Sequence, residues 1–160
     1  MAPGLFQLLG QRGAALNGMK EINSKEVERL FTTAPFIREL GLRLVSIAAG
    51  ECHSALTLEA RHQQQDGFVH AGVQGAVADH TAGAAAASLV SETEAILGAE
   101  FKINLLRAAR GTELRCVSRV LKPGRTLIVA ESEIYCGDEA GERLVSKATV
   151  TLAVVPKKRG

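Results

Sequence analysis

The sequence predicts an α+β domain, a curled antiparallel sheet of about six strands wrapped around one long central helix. Three observations carry that prediction. Residues 72–90 form a run of Ala, Val and Gly without proline, nearly free of bulky side chains. Most of the remaining chain alternates apolar and polar residues with a period of two. The alternating segments are joined by short turns marked by Gly or Pro, which suits antiparallel neighbours. A helix this smooth lets other backbone approach its axis, and only a sheet that curls can cover it on several sides.

The elements follow in order. Residues 1–23 read as an N-terminal extension, since MAPGLFQLLG has a short, Gly-flanked apolar piece rather than a signal sequence. From Ser24, the spacing of Val27, Leu30 and Phe31 predicts a helix with Ser24 as N-cap, ended by Pro35. Phe36 to Leu40 reads as a short helical turn closed by Gly41. Leu42, Leu44 and Ser46 then alternate with Arg43, Val45 and Ile47, and a turn at Gly50-Glu51 leads to Cys52, Ser54, Leu56 and Leu58 on one face of a second strand. A polar loop (Gln63, Gln64, Gln65, Asp66, Gly67) ends at His70, where the central helix opens. Beyond it, Ala99, Phe101, Ile103 and Leu105 alternate with Glu100, Lys102 and Asn104. Leu114 to Val120 and Ile128 to Ile134 read as strands around Lys122-Pro123-Gly124-Arg125, which has the pattern of a type II turn. The last strand covers Leu144 to Val155, and 156–160 is a basic tail. The domain therefore spans 24–155, and its last four strands are expected to form a meander extended by the early hairpin.

Composition narrows the function. A 160-residue chain with 46% hydrophobic and 22% charged residues suits one globular domain. With no Trp, one Tyr and five Phe, its core has to be aliphatic. A net charge of +2 gives no bulk attraction to nucleic acid, and aromatic platforms for base stacking are missing. Cys52, Cys116 and Cys136 are odd in number and widely spaced, which points to a reducing cytoplasm rather than a disulfide framework. His53, His62, His70 and His80 lack metal-ligand spacing, so no metal is assigned. The 72–90 run carries Asp79 and His80 and reads as a buried helix, not a membrane span.

Asp79 is the one carboxylate in that run, and an acid there is costly unless paired or used. Pairing with a Lys or Arg, or capping a neighbouring element, is the structural alternative. His70 sits at a loop-to-helix junction, where shaping the turn is a more ordinary role than proton transfer. His80 points about 100° away from Asp79 around the helix, so the two do not form a dyad. Gly75 and Gly83 flank Asp79 at i−4 and i+4, leaving room either for a bound group beside the carboxylate or for close helix packing.

HAGVQGAVAD at 70–79, followed by TAGAAA, resembles the H-G-G-x-x-x-x-L-A-D-x-x-x-G-x-A signature of the hotdog-fold acyl-CoA thioesterases. The phenylacetate-pathway (PaaI-type) group is the branch it is most similar to. FKINLLRAARG at 101–111 and VLKPGRTL at 120–127 extend the resemblance over residues 36–155. It implies a hotdog fold and hydrolysis of a small or medium acyl- or aryl-CoA thioester. Asp79 takes the place of the family's base or nucleophile, and the backbone N–H of Ala71, beside Gly72, that of its oxyanion donor. Gln64 stands where many members carry an orienting Asn, with Gln65 as the alternative. Glu100 replaces an assisting Ser or Thr.

The donor and the base have to meet one carbonyl. Asp79 lies eight residues beyond Ala71, roughly 12 Å along a helix rising about 1.5 Å per residue. If the helix begins near Ala71, the acid has to come from a second copy, and a homodimer, or a dimer of dimers, is expected. Seven basic residues and one acid lie between Lys102 and Arg125. Arg107, Arg110, Lys122 and Arg125, at strand ends and turns, are candidates for the phosphates of coenzyme A, with Asn104 nearby. Arg115 and Arg119 are explained by cross-strand pairing with Glu131 and Glu133. No cofactor is expected beyond the CoA of the substrate, and no nucleic-acid or membrane partner. The rival readings are a non-catalytic acyl-CoA-binding module and a hotdog hydratase or dehydratase, the latter disfavoured because no Pro occurs between Pro35 and Pro123.

Overall fold

The computed structural model describes residues 23–157, so all of the N-terminal extension but Asn23, and residues 158–160 of the basic tail, lie outside the described residues. The elements run α1 (Ser24–Thr33), α2 (Pro35–Leu40), β1 (Arg43–Ala48), β2 (Glu51–Thr57), a 3₁₀ turn (Ala60–His62), α3 (Ala71–Ala87), β3 (Glu94–Leu105), β4 (Glu113–Lys122), β5 (Leu127–Asp138) and β6 (Gly141–Pro156). All six strands join one antiparallel sheet in the order β1-β2-β4-β5-β6-β3, curled around α3. This is the predicted hotdog layout. Among the described residues no helix is long and apolar enough to cross a membrane.

Small side chains explain how the helix fits. Val77, Ala78, Ala82 and Ala84 to Ala87 are buried against Leu56, Leu114, Ile128, Ile134, Val150 and Leu152 of the sheet. Hydroxyls fill the remaining contact. Ser132 of β5 donates to the Ala78 carbonyl at 2.9 Å, Thr81 bonds the Val77 carbonyl at 2.6 Å, and Ser54 of β2 lies 2.6 Å from Thr81. A Leu or Phe at any of these helix positions would push the strands off the axis.

Several expectations are corrected. Asn23, not Ser24, caps α1, accepting from the Glu26 N–H. A bulge between Leu44 and Ser46 resets the β1 alternation, so Ile47 faces the core with Leu44. Gly124 is not in the left-handed region that a type II turn requires. It serves close approach instead, because a Cβ there would lie 2.1 Å from the Leu127 carbonyl oxygen. β4, β5 and β6 form the meander, but β3 pairs with β6 rather than with β4. The chain crosses at 106–112, and β3 is left as an edge strand.

That edge begins at Glu94, well before the alternation expected from Ala99. A second bulge between Gly98 and Glu100 turns Gly98, Phe101, Ile103 and Leu105 toward the helix side, in register with Leu152, Val150, Ala148 and Ser146. Glu100, Lys102 and Asn104 take the outer face, opposite Thr151, Thr149 and Lys147.

Candidate active site

His70 makes the start of α3. Its φ of −60° and ψ of 140° stop the helix there, and its ring Nδ1 accepts the Gly72 N–H at 2.9 Å. Its carbonyl takes the N–H groups of Val73 and Gln74, and its own N–H is tied to the His62 carbonyl. His62 is itself buried and fixed by the Glu59 N–H and the Leu40 carbonyl. One amide of the first turn is left over. Among the described residues the Ala71 N–H has no partner, and Ala71 is exposed. A lone amide at the positive end of a helix is where developing negative charge is stabilised.

The amide opens on a cleft of about 410 Å³ whose lining includes Gln64, Phe68, Ala71, Gln74, Leu105 and Arg107. Gln64 reaches it because Gly67, at φ 79°, turns the loop back and the Gln63–Val69 bridge closes it. The Gln64 Oε1 accepts the Asp66 N–H, and among the described residues its NH₂ group has no acceptor, which leaves it available as a donor. Gln65 is exposed and its amide bonds Asp66 instead, at 3.2 Å. Arg110 steadies the same loop, stacking 5.0 Å over Phe68 and donating to the Asp66 carbonyl. Gln74 was not foreseen from the sequence. Its signal was there, as the one long polar side chain between Gly72 and Asp79.

Asp79 lies two turns down the helix, away from this cleft. It is half-buried, and burial raises its pKa. No hydrogen bond or ion pair reaches it among the described residues. Gly98 of β3 makes room for it, since a Cβ there would sit 3.2 Å from its Oδ1. Gly75 lies under the Phe101 ring, and Gly83 faces open space. Along β3 the levels are therefore Ala71 with Leu105, Gly75 with Phe101 and Asp79 with Gly98. His80 turns the other way, edge-on to Phe31 of α1 at 4.7 Å.

The remaining candidates are scattered. Glu100 and Asn104 face away from the helix, so within one chain they do not join Asp79. Arg107 lines the Ala71 cleft and bonds the Leu144 carbonyl at 3.0 Å. Arg125 lines a second cleft, of about 670 Å³, at the opposite end of the sheet with Glu92, Thr93 and Lys157. Lys122, at the end of β4, belongs to that same distant end. Arg119 is paired with Glu51 at 3.1 Å and Glu133 at 3.9 Å, whereas Arg115 pairs with Glu142 of β6 rather than with Glu131 or Glu133. No group of three or more His, Cys, Asp or Glu that could hold a metal occurs among the described residues.

Comparison with known proteins adds to this geometry. Residues 66–142 match the family model described as the thioesterase superfamily. A solved thioesterase family protein from Silicibacter pomeroyi is 34% identical, with a TM-score of 0.82, covering 84% of this chain and 98% of its own. ComA2 of Bacillus subtilis (strain 168) is 32% identical over 122 residues, 76% of this chain and 94% of its own length. The 1,4-dihydroxy-2-naphthoyl-CoA hydrolase of Listeria monocytogenes serotype 1/2a (strain 10403S) is 27% identical over 75% of this chain and 95% of its own.

Proposed function

The chain belongs to the thioesterase superfamily and is a thioester hydrolase; from that premise we propose that it hydrolyses small or medium acyl- or aryl-CoA esters, in the manner of the PaaI-type group, at a centre shared by two copies of the chain. The observation that carries this reading is the separation of two unsatisfied groups. Among the described residues the Ala71 amide and the Asp79 carboxylate each lack a partner, and a helix holds them roughly 12 Å apart at about 1.5 Å per residue.

The edge strand supplies the way to unite them. Among the described residues β3 has no neighbour on its outer side, and it exposes Leu97 (57%), Phe101 (47%) and Leu105 (52%). Such an edge is a template for pairing with another strand. Two copies of β3 paired about a two-fold axis run antiparallel. With the axis close to Phe101, the Gly98 level of one copy falls on the Leu105 level of the other. Asp79 of the second copy then arrives at the Ala71 amide of the first, and the reverse holds at the second centre.

In that centre the thioester carbonyl oxygen takes the Ala71 N–H and the free NH₂ of Gln64. Asp79 of the second copy acts as base on water, or as nucleophile, and the thiol of coenzyme A departs. A raised pKa suits a base, because a carboxylate stripped of water holds a proton better. The same axis carries the Arg125 end of one copy to the Arg107 end of the other, so guanidinium groups from both chains can flank the CoA phosphates.

The test is thiol release across a panel of short acyl-, phenylacetyl- and benzoyl-CoA esters, by the wild type and by Asp79→Asn. Turnover of some esters, abolished by Asp79→Asn while the ester still binds, is the expected result. Zero release from every ester with retained binding would replace hydrolysis by plain acyl-CoA binding.

A further inference from the structure

Gln74 lies in the first turn of α3 with only 3% of its surface exposed, yet it lines the Ala71 cleft. Its Nε2 donates to the Val69 carbonyl at 3.3 Å. Its Oε1 is buried without a partner among the described residues. The amide cannot be turned to remedy this, because the opposite assignment would set Oε1 against the Val69 carbonyl oxygen and lose that bond. A buried acceptor left empty is unfavourable, and it is relieved by any ligand that brings an O–H or N–H.

The cleft runs from an exposed mouth at Leu106 and Arg107 to a buried floor at Val69, Gln74 and Ala109. Phosphates held at the mouth leave the floor to the acyl group, beyond the carbonyl at Ala71. We propose that Gln74 is a specificity-determining residue, whose Oε1 accepts a hydrogen bond from a hydroxyl or N–H on the acyl portion of the thioester. This rests on the shared-centre thioesterase reading. The remaining lining near the floor is apolar (Phe68, Val69, Leu105, Ala109), so a donor placed there has Gln74 as its partner. A site built to satisfy a donor rejects the analogue lacking it more strongly than an apolar pocket rejects a change of size.

The test uses matched pairs of esters differing by one donor: benzoyl-CoA against its three hydroxy and three amino isomers, and butanoyl-CoA against hydroxybutanoyl-CoA. The wild type is expected to favour at least one donor-bearing partner about tenfold or more in kcat/KM. In Gln74→Met, of similar length and without an acceptor, that ratio should fall to within about threefold of unity through loss of rate on the donor-bearing ester. A loss of packing would slow both members of a pair alike and leave the ratio intact. Flat ratios in the wild type, or a preference that survives in Gln74→Met, overturn the assignment. If no ester is hydrolysed the thioesterase reading falls, and equilibrium binding of the same pairs to wild type and Gln74→Met decides the role of Gln74 by the same ratio.

Discussion

Ala71 offers an unusually clean way to remove one hydrogen. It is the first residue of α3, where proline is welcome because its missing N–H has no helical partner to lose. Proline also restricts the residue before it to extended backbone, and His70 already has φ −60° and ψ 140°. Ala71→Pro should therefore leave the melting temperature close to wild type while lowering kcat about 10²- to 10³-fold, the effect of deleting an oxyanion donor. Steady-state kinetics with a good ester, beside a thermal melt, checks both halves. Asp79 should show the opposite balance. Burial raises its pKa, so folding favours the protonated form. The wild type keeps that share of stability below the ordinary aspartate range and loses it as pH rises through the raised pKa. Asp79→Asn should then melt higher than wild type at pH 8, the gap closing by about pH 3.5, while turnover falls about 10²- to 10⁴-fold. In the wild type, activity should rise with pH over the window in which the stability gap opens. A gap that persists unchanged at low pH would remove the carboxylate from the account.

Between elements, α1 is the part most exposed to acid. It is held to the rest of the molecule at both ends. Buried Glu26 pairs with Arg29 and with Lys157 at 2.9 Å, just beyond β6, and Phe31 packs on His80 of α3. Arg29 above all, then Lys157, hold Glu26 down to about 2 against its burial, so its contribution is complete above its ordinary range and is lost as pH falls toward 2. Burial lowers His80 to about 4, partly offset by its bond to the Leu30 backbone. A depressed histidine likewise contributes above its ordinary value and loses that contribution as pH falls through about 4. Amide hydrogen exchange in 24–33, corrected for the intrinsic rate, should therefore accelerate between pH 6.5 and 4 before the β4–β6 amides do. His80→Leu should suppress that early phase. The helices and most strands were legible in the sequence because caps, Pro35 and Gly41 and the period-two runs are local signals. Strand order and the bulges in β1 and β3 were not. A bulge adds one residue without a composition mark, and β3 lacks a burial alternation because it is an edge. The candidate site was half legible for the same reason. Asp79 and Ala71 sit on a motif, whereas the relevance of Gln74 depends on which helical face meets the cleft.

At the scale of the whole molecule, the proposed shared centre would leave each copy incomplete by itself. In a shared centre, each reaction uses Ala71 of one chain and Asp79 of the other. Consider a heterodimer of Ala71→Pro with Asp79→Asn. One of its two centres carries both lesions, and the other carries neither. Mixing the two inactive variants by unfolding and refolding them together should thus restore activity, to about a quarter of wild type if chains pair at random. If both groups served the same chain's substrate, every centre would carry one lesion and the mixture would stay as inactive as its parents. The register makes a second demand on the same material. Leu97, Phe101 and Leu105 are exposed in the single chain, and pairing close to Phe101 would cover the edge they share. Lys substituted for Phe101 should dissociate the dimer in sedimentation velocity and abolish turnover together, since like charges then face each other at the axis. Dissociation with activity intact would place the acid and the amide within one chain's reach, against roughly 12 Å of helix at about 1.5 Å per residue.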